Sequence, residues 1–261
     1  MLSASKYKFE RWNKKFPRNV NVKFSELYVE SSWKQFFKSI NDIKGFEPIE
    51  KMLTSEKDDD IFPYPDMLFD AFNMTPLNTI KVVFVGQDPY HSAALYEKRM
   101  IPHAMGLSFS VPVGLKIPSS LDNIFKNLLK YKHITKIPTH GNLFSWSAQG
   151  CLMLNAGLTV PKGVPSGHSK YWAWFSNQII KYISDHLKHV VFVLWGDFAA
   201  KKLPLIDVDK HEAIITSHPS GLSCTKPLGN YPAFSDYDHF GEINKLVKKF
   251  GMRTILWQYD F

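Results

Sequence analysis

The chain has 261 residues, 44% of them apolar, with two cysteines, no eighteen-residue apolar run and no secretory-type N-terminus. These features exclude a disulfide-stapled scaffold and a helical membrane protein, and leave a chain able to bury its own core. Lys and Arg outnumber Asp and Glu by 32 to 24, a formal net charge of +8, which favours a polyanionic partner because bound cations release the counterions of phosphates.

A soluble, intracellular monomer is expected, cytoplasmic or nuclear depending on its source and without a membrane partner. Residues 1–23 carry seven Lys or Arg against Glu10 alone. They read as a basic arm, most simply a solvated tail, with a DNA-touching arm or a targeting segment as alternatives. From residue 24 to 261 a single domain is expected. The acidic cluster Glu56 to Asp60 reads as a loop before the turn-forming Phe62-Pro63-Tyr64-Pro65.

Four short apolar runs then read as buried strands: Ile80 to Val85, Cys151 to Leu154, Val190 to Trp195 and Ala213 to Thr216. Between them lie helical patterns. Leu121 to Tyr131 repeats Leu121, Ile124, Phe125, Leu128 and Leu129 on one face, with Ser119 or Ser120 available as N-cap, and Trp172 to Leu187 follows the same spacing. Strands alternating with helices predict an α/β fold, a central parallel four-stranded sheet with helices on both faces.

Ligands of such sheets bind beyond the carboxyl ends of the strands, and there the chain is polar. The first strand runs into Gly86-Gln87-Asp88-Pro89-Tyr90-His91, the second into Asn155, the third into Gly196-Asp197 and the fourth into Ser217-His218-Pro219-Ser220. Singly, each has an ordinary explanation: a turn residue for Asp88, a loop tie for Asn155, a satisfied buried imidazole for His218. Jointly, at one end of one sheet, a carboxylate, an amide and an imidazole indicate a site.

Gly86 to His91, Gly106-Leu107-Ser108-Phe109-Ser110, Leu154-Asn155-Ala156-Gly157-Leu158-Thr159 and His218-Pro219-Ser220-Gly221-Leu222-Ser223 resemble, in order, the signature of family 1 uracil-DNA glycosylases. The similarity runs from about Phe62 to Trp257. It implies a DNA repair enzyme that flips uracil out of single- or double-stranded DNA and hydrolyses its N-glycosidic bond. Residues 24–261 then form the catalytic domain, with neither cofactor nor metal. Asp88 and His218 are the implied catalytic residues. Gln87, Tyr90, Phe109 and Asn155 are the uracil-binding ones, with His91 in support. Pro118, Ser120, Gly196, Ser220 and the wedge-like Leu222 are the implied DNA contacts. A small DNA-mimicking inhibitor protein is a further implied partner.

Three departures from the family pattern concern DNA grip. Asp197 stands where a serine is usual, Lys116-Ile117-Pro118-Ser119 keeps one proline of a proline-rich loop, and Gly221 replaces a second proline. Altered DNA affinity is expected from them more than altered chemistry. Residues 92–105 and 224–238 look longer than the family pattern, near the expected DNA face, where they either add contacts through Lys98, Arg99 or Lys226 or decorate the surface. Two other readings compete: a non-catalytic DNA-binding or processivity module on the same fold, and a metal-dependent hydrolase using Asp88, His91 and His218, for which no compact ligand motif exists.

Overall fold

A strand whose residues are apolar on both sides of the pleat needs cover on both faces. That requirement shapes this protein. In a computed structural model that describes residues 10–258, β1 (Val82–Gly86), β2 (Cys151–Asn155) and β3 (Val191–Trp195) are buried along their whole length, whereas β4 (Glu212–Thr216) is partly exposed. They form one parallel sheet in the order β2-β1-β3-β4. Each expected strand is present, its ends displaced by at most two residues.

Five longer helices surround the sheet: α1 (Lys34–Asp42), α2 (Glu47–Glu56), α3 (Ser119–Lys130), α4 (Ser169–His186) and α5 (His239–Lys249). One aromatic layer joins Phe84, Trp146, Trp195, Phe240 and Trp257. Another joins Phe24, Phe36, Phe37, Phe72, Trp172 and Phe175. The edge of β2 is closed by a loop, with Ser108 N–H donating to Met153 O at 2.9 Å. That contact blunts the edge and brings the next residue, Phe109, to the end of the sheet.

The caps differ from expectation at α3. Pro118 is the N-cap, and Ser119 and Ser120 already lie inside the helix without a side-chain cap. A proline restricts the residue before it and not the one after, so a helix starts directly behind it. Likewise Glu56 ends α2 and does not open the acidic loop.

Residues 1–9 of the expected basic arm lie outside the described residues. The remainder is not a solvated tail. Trp12, Phe16 and Val22 belong to the main core, each no more than 1% exposed. Trp12 Nε1 donates to Pro63 O at 3.1 Å, and Lys57 Nζ donates to the carbonyls of Pro17 and Arg18. The positive charges find local acids: Arg11 pairs with Asp60, Lys15 with Asp66 and Lys23 with Glu50. Three of the basic residues are therefore tied to acids of the folded domain. Trp12→Ala should destabilise the whole protein by about 3–5 kcal/mol, the range for removing a large buried aromatic, measurable as a lower urea midpoint at an unchanged slope. A loss below about 1 kcal/mol would mean that the segment packs without supporting the fold.

Candidate active site

In the order β2-β1-β3-β4 the chain winds one way from β1 to β2 and the other way to β3 and β4. The switch point, between β1 and β3, is where such sheets open a crevice. Register makes the strand ends level there: Gly86 pairs with Asn155 and Trp195 with Thr216. The residues that follow each strand are thus delivered to one place.

Asp88 is half-buried and held by two hydroxyls. Ser169 Oγ donates to Oδ1 at 2.6 Å and Ser166 Oγ to Oδ2 at 2.7 Å. Gln87 is exposed, and its Nε2 donates to the same Ser166 Oγ at 3.1 Å. Both serines precede or open α4, and the turn between them is braced from below. His168 Nε2 faces the carboxylate of Glu56 at 2.8 Å, its Nδ1 faces Thr159 Oγ1 at 2.8 Å, and Trp172 Nε1 donates to Thr159 Oγ1 at 2.7 Å. A carboxylate beyond Nε2 and a hydroxyl beyond Nδ1 fit a neutral ring carrying its proton on Nε2. Burial, the largest influence, holds this imidazole below its ordinary value. Ser166 and Ser169 were missed in the sequence, where no motif singles out two serines in a Gly- and Pro-containing stretch.

Asn155, 6% exposed, lies across Gly86: a Cβ on Gly86 would stand 2.3 Å from Asn155 Oδ1 and 2.9 Å from Ser108 Cβ. Among the described residues none hydrogen-bonds its side-chain amide. A nearly buried amide of this kind is satisfied by solvent or by a ligand that offers one donor and one acceptor. The turn behind it is fixed by Ala156 N–H to Gly86 O and Gly157 N–H to Gln87 O, at 2.9 and 2.8 Å.

Phe109 closes one wall. Its φ of +62° is left-handed, an uncommon state for a bulky residue that costs on the order of 1–3 kcal/mol and is characteristic of functional sites. The ring packs 5.4 Å from Trp195 and 6.0 Å from His218. Tyr90 donates its hydroxyl to Phe109 O at 3.2 Å, and burial pushes that phenol above its ordinary value. His91 is exposed, and its carbonyl accepts from Gly163 N–H.

His218 accepts a hydrogen bond at Nδ1 from Ser220 N–H at 3.0 Å. An acceptor nitrogen carries a lone pair, so the neutral ring bears its proton on Nε2. Burial holds the imidazole below its ordinary value, favouring that neutral form. Gly196 supports it just beyond the end of β3: with φ +88°, it leaves space where a Cβ would lie 3.0 Å from His218 Cβ. Asn123 of α3, also missed in the sequence, donates to Pro219 O at 2.8 Å and so ties the same turn.

The expected DNA contacts lie around this rim. Pro118 and Ser120 are partly exposed at the start of α3, and Leu222 is 86% exposed in the loop beyond His218. Gly221 beside it has open space around it. Asp197 points its charge at Lys201 one helical turn on, an ion pair that offsets it locally. Residues 224–238 fold back on the strand end, with Ser217 N–H donating to Pro232 O and Phe234 N–H to Ser217 Oγ. Among the described residues no three acidic, histidine or cysteine side chains come together as ligands to one ion, and no helix is long and apolar enough to cross a membrane.

Residues 72–248 match the family model described as the uracil DNA glycosylase superfamily. A probable uracil-DNA glycosylase of Acanthamoeba polyphaga mimivirus is 37% identical over 98% of this chain and 72% of its own length. A uracil-DNA glycosylase of Helicobacter hepaticus is 43% identical over 78% of this chain and 88% of its own. The crystal structure of the mimivirus uracil-DNA glycosylase superposes with a TM-score of 0.93 at 36% identity, covering 99% of this chain and 97% of that one. A variant of that viral protein, crystallised in complex with UGI, also gives 0.93.

Proposed function

The chain belongs to the uracil DNA glycosylase superfamily and excises uracil from DNA, and from that premise we propose how its own residues divide the work. The observation that carries the assignment is the convergence, at one switch point, of a serine-held carboxylate, an amide pressed across a glycine and a neutral imidazole.

A uracil must leave the base stack to be reached. Phe109 then stacks on its face. Asn155 offers Nδ2–H to O4 and Oδ1 to N3–H, a polarity that cytosine reverses. Tyr90, anchored through Phe109 O, stands beside C5 and collides with the methyl group of thymine. Gln87, tied to Ser166, lines the mouth, and His91 supports the turn. As the bond from C1′ to N1 breaks, its electron pair leaves with uracil. His218 Nε2–H donates to O2, where negative charge grows, and Asp88 faces the positive sugar and orients the water that adds to C1′; that water loses one proton on addition, and the uracil anion takes up one on release. Neither step needs a metal or a redox cofactor.

Ser120 offers phosphate its N–H at the start of α3 and Ser220 its hydroxyl, Pro118 and Gly196 shape the rim so that the strand approaches closely, and the exposed Leu222 wedges into the gap left by the flipped base. Because Asp197 is paired with Lys201, it weakens this grip less than an unpaired carboxylate would. Single- and double-stranded DNA are both substrates, and the DNA-shaped rim also fits a DNA-mimicking inhibitor protein. The chain acts as an intracellular monomer, in cytoplasm or nucleus according to its source. One catalytic domain takes in the segment around Trp12, whose side chain is part of its core.

The deciding experiment is release of free uracil from a single-uracil oligonucleotide in EDTA, with thymine and cytosine controls. Uracil alone should be released, at a rate that EDTA does not change. Release abolished by EDTA would restore the metal-dependent reading, and tight DNA binding without release would indicate a DNA-holding module.

Gly86→Ala tests the amide. Its methyl group would displace Asn155, and the cost should resemble loss of one preorganised hydrogen-bonding group, about 10²-fold in kcat/KM. A thermal melt should show the fold intact. An unimpaired variant would mean that Asn155 does not need this seat.

A further inference from the structure

The hairpin that follows the catalytic turn takes no part in the site described above. Its strands, Ala93–Tyr96 and Arg99–Pro102, pair with Leu95 opposite Met100. One face is anchored. Ile101 and Leu115 are buried together, with Ala94 and Tyr96 packed on them, and the Tyr96 ring lies so close to Gly114 that a Cβ there would stand 2.6 Å from Cε2. The base is tied by His103 N–H to Ser92 O at 3.0 Å and by Ser92 Oγ against His103 Nδ1 at 3.2 Å. A two-stranded hairpin is marginal in water, so these anchors hold it in place.

Because Ala94, Tyr96 and Ile101 face inward, the period-two alternation turns Leu95 and Met100 outward. They are 72% and 46% exposed, and directly opposite one another. At the tip, Glu97 and Lys98 hold φ of +45° and +64°, the left-handed pair of a tight hairpin turn where Asn and Gly are usual. Keeping a lysine there costs on the order of 1 kcal/mol.

The hairpin starts two residues after His91 and leans on Gly114 and Leu115, in the loop that leads to Pro118. It is therefore joined by the chain to the Asp88 turn and by packing to the loop before α3, the two sides of the proposed DNA face. An outward apolar pair with a cation at its tip matches the sugars and bases of a nucleic acid strand and its phosphate. We infer that this hairpin is a further DNA-binding element that grips the strand beyond the flipped deoxyuridine. Leu95 and Met100 lie against sugar and base faces, and Lys98 lies against a phosphate. This rests on the reading of Asp88 and Pro118 as the DNA face.

The test compares the full chain with Leu95→Ser/Met100→Ser and with Lys98→Ala, on a deoxyuridine-centred trideoxynucleotide and on a long single-uracil oligodeoxynucleotide. On the long substrate the double variant should raise KM about tenfold, the scale of one lost stacking contact, with kcat unchanged. Lys98→Ala should reduce the salt slope of binding by about 0.7, one phosphate on a single strand. Neither should alter the trideoxynucleotide. Wild-type KM and salt slope in both variants on the long substrate would overturn the inference. Failure of the unaltered chain to excise uracil from either substrate would overturn the cleft reading instead.

Discussion

Asp88→Asn is expected to lower the single-turnover rate of uracil release by about 10³-fold while leaving DNA binding equal or tighter. The geometry makes this a test of charge. Both carboxylate oxygens accept from serine hydroxyls, at 2.6 and 2.7 Å. A hydroxyl is donor and acceptor, so Ser166 or Ser169 can rotate to accept from the new amide and keep it in place. What disappears is one negative charge facing a sugar that turns positive. At about 4 Å and an effective dielectric constant near 20, that attraction is worth about 4 kcal/mol, or about 10³ in rate. The same charge repels the phosphates of the ground-state complex, so its removal does not weaken binding. A rate loss below about tenfold, with the fold intact, would show that Asp88 does not meet the developing cation.

The sheet was legible because three of its four strands are buried along their whole length and so appear as uninterrupted apolar runs. Ile80 to Val85 anticipates Val82–Gly86, and Val190 to Trp195 anticipates Val191–Trp195. The residues beyond those runs were legible for the complementary reason: Asp88, Asn155 and His218 are polar where the pattern has just been apolar. Ser166, Ser169 and Asn123 were not, because their work is done entirely across tertiary contacts. Nothing in a local window separates a serine that holds a carboxylate from one that faces water. The N-terminal segment misled through its charges. Seven basic residues suggest a solvated tail, but Trp12 and Phe16 lie between them at positions that fold inward, and three of the charges meet acids on the domain. The hairpin at 93–102 escaped because its strands are four residues each and only one face is apolar toward the core.

His218→Leu is expected to cost about 10²–10³ in the rate of uracil release, the range for losing one preorganised donor at a developing anion. The protonation state gives that prediction a second readout. Ser220 N–H donates to Nδ1, so a proton added at Nδ1 would set two donors against each other. Burial acts in the same direction and holds the folded imidazole below its ordinary value. With the folded value depressed, the unfolded chain binds more protons just below the ordinary histidine range of about 6.5, and stability is lost as the pH falls through that window. The neutral donor therefore serves at and above neutral pH, where this group should leave the rate flat, and the decline it causes should begin only on the acid side. In His218→Leu the acid limb should move to lower pH, because the group that titrates there has gone. His218→Gln, which can still offer an N–H, should recover part of the rate without restoring the limb. An acid limb unchanged in both variants would assign it to another group and remove the case for a neutral imidazole donor.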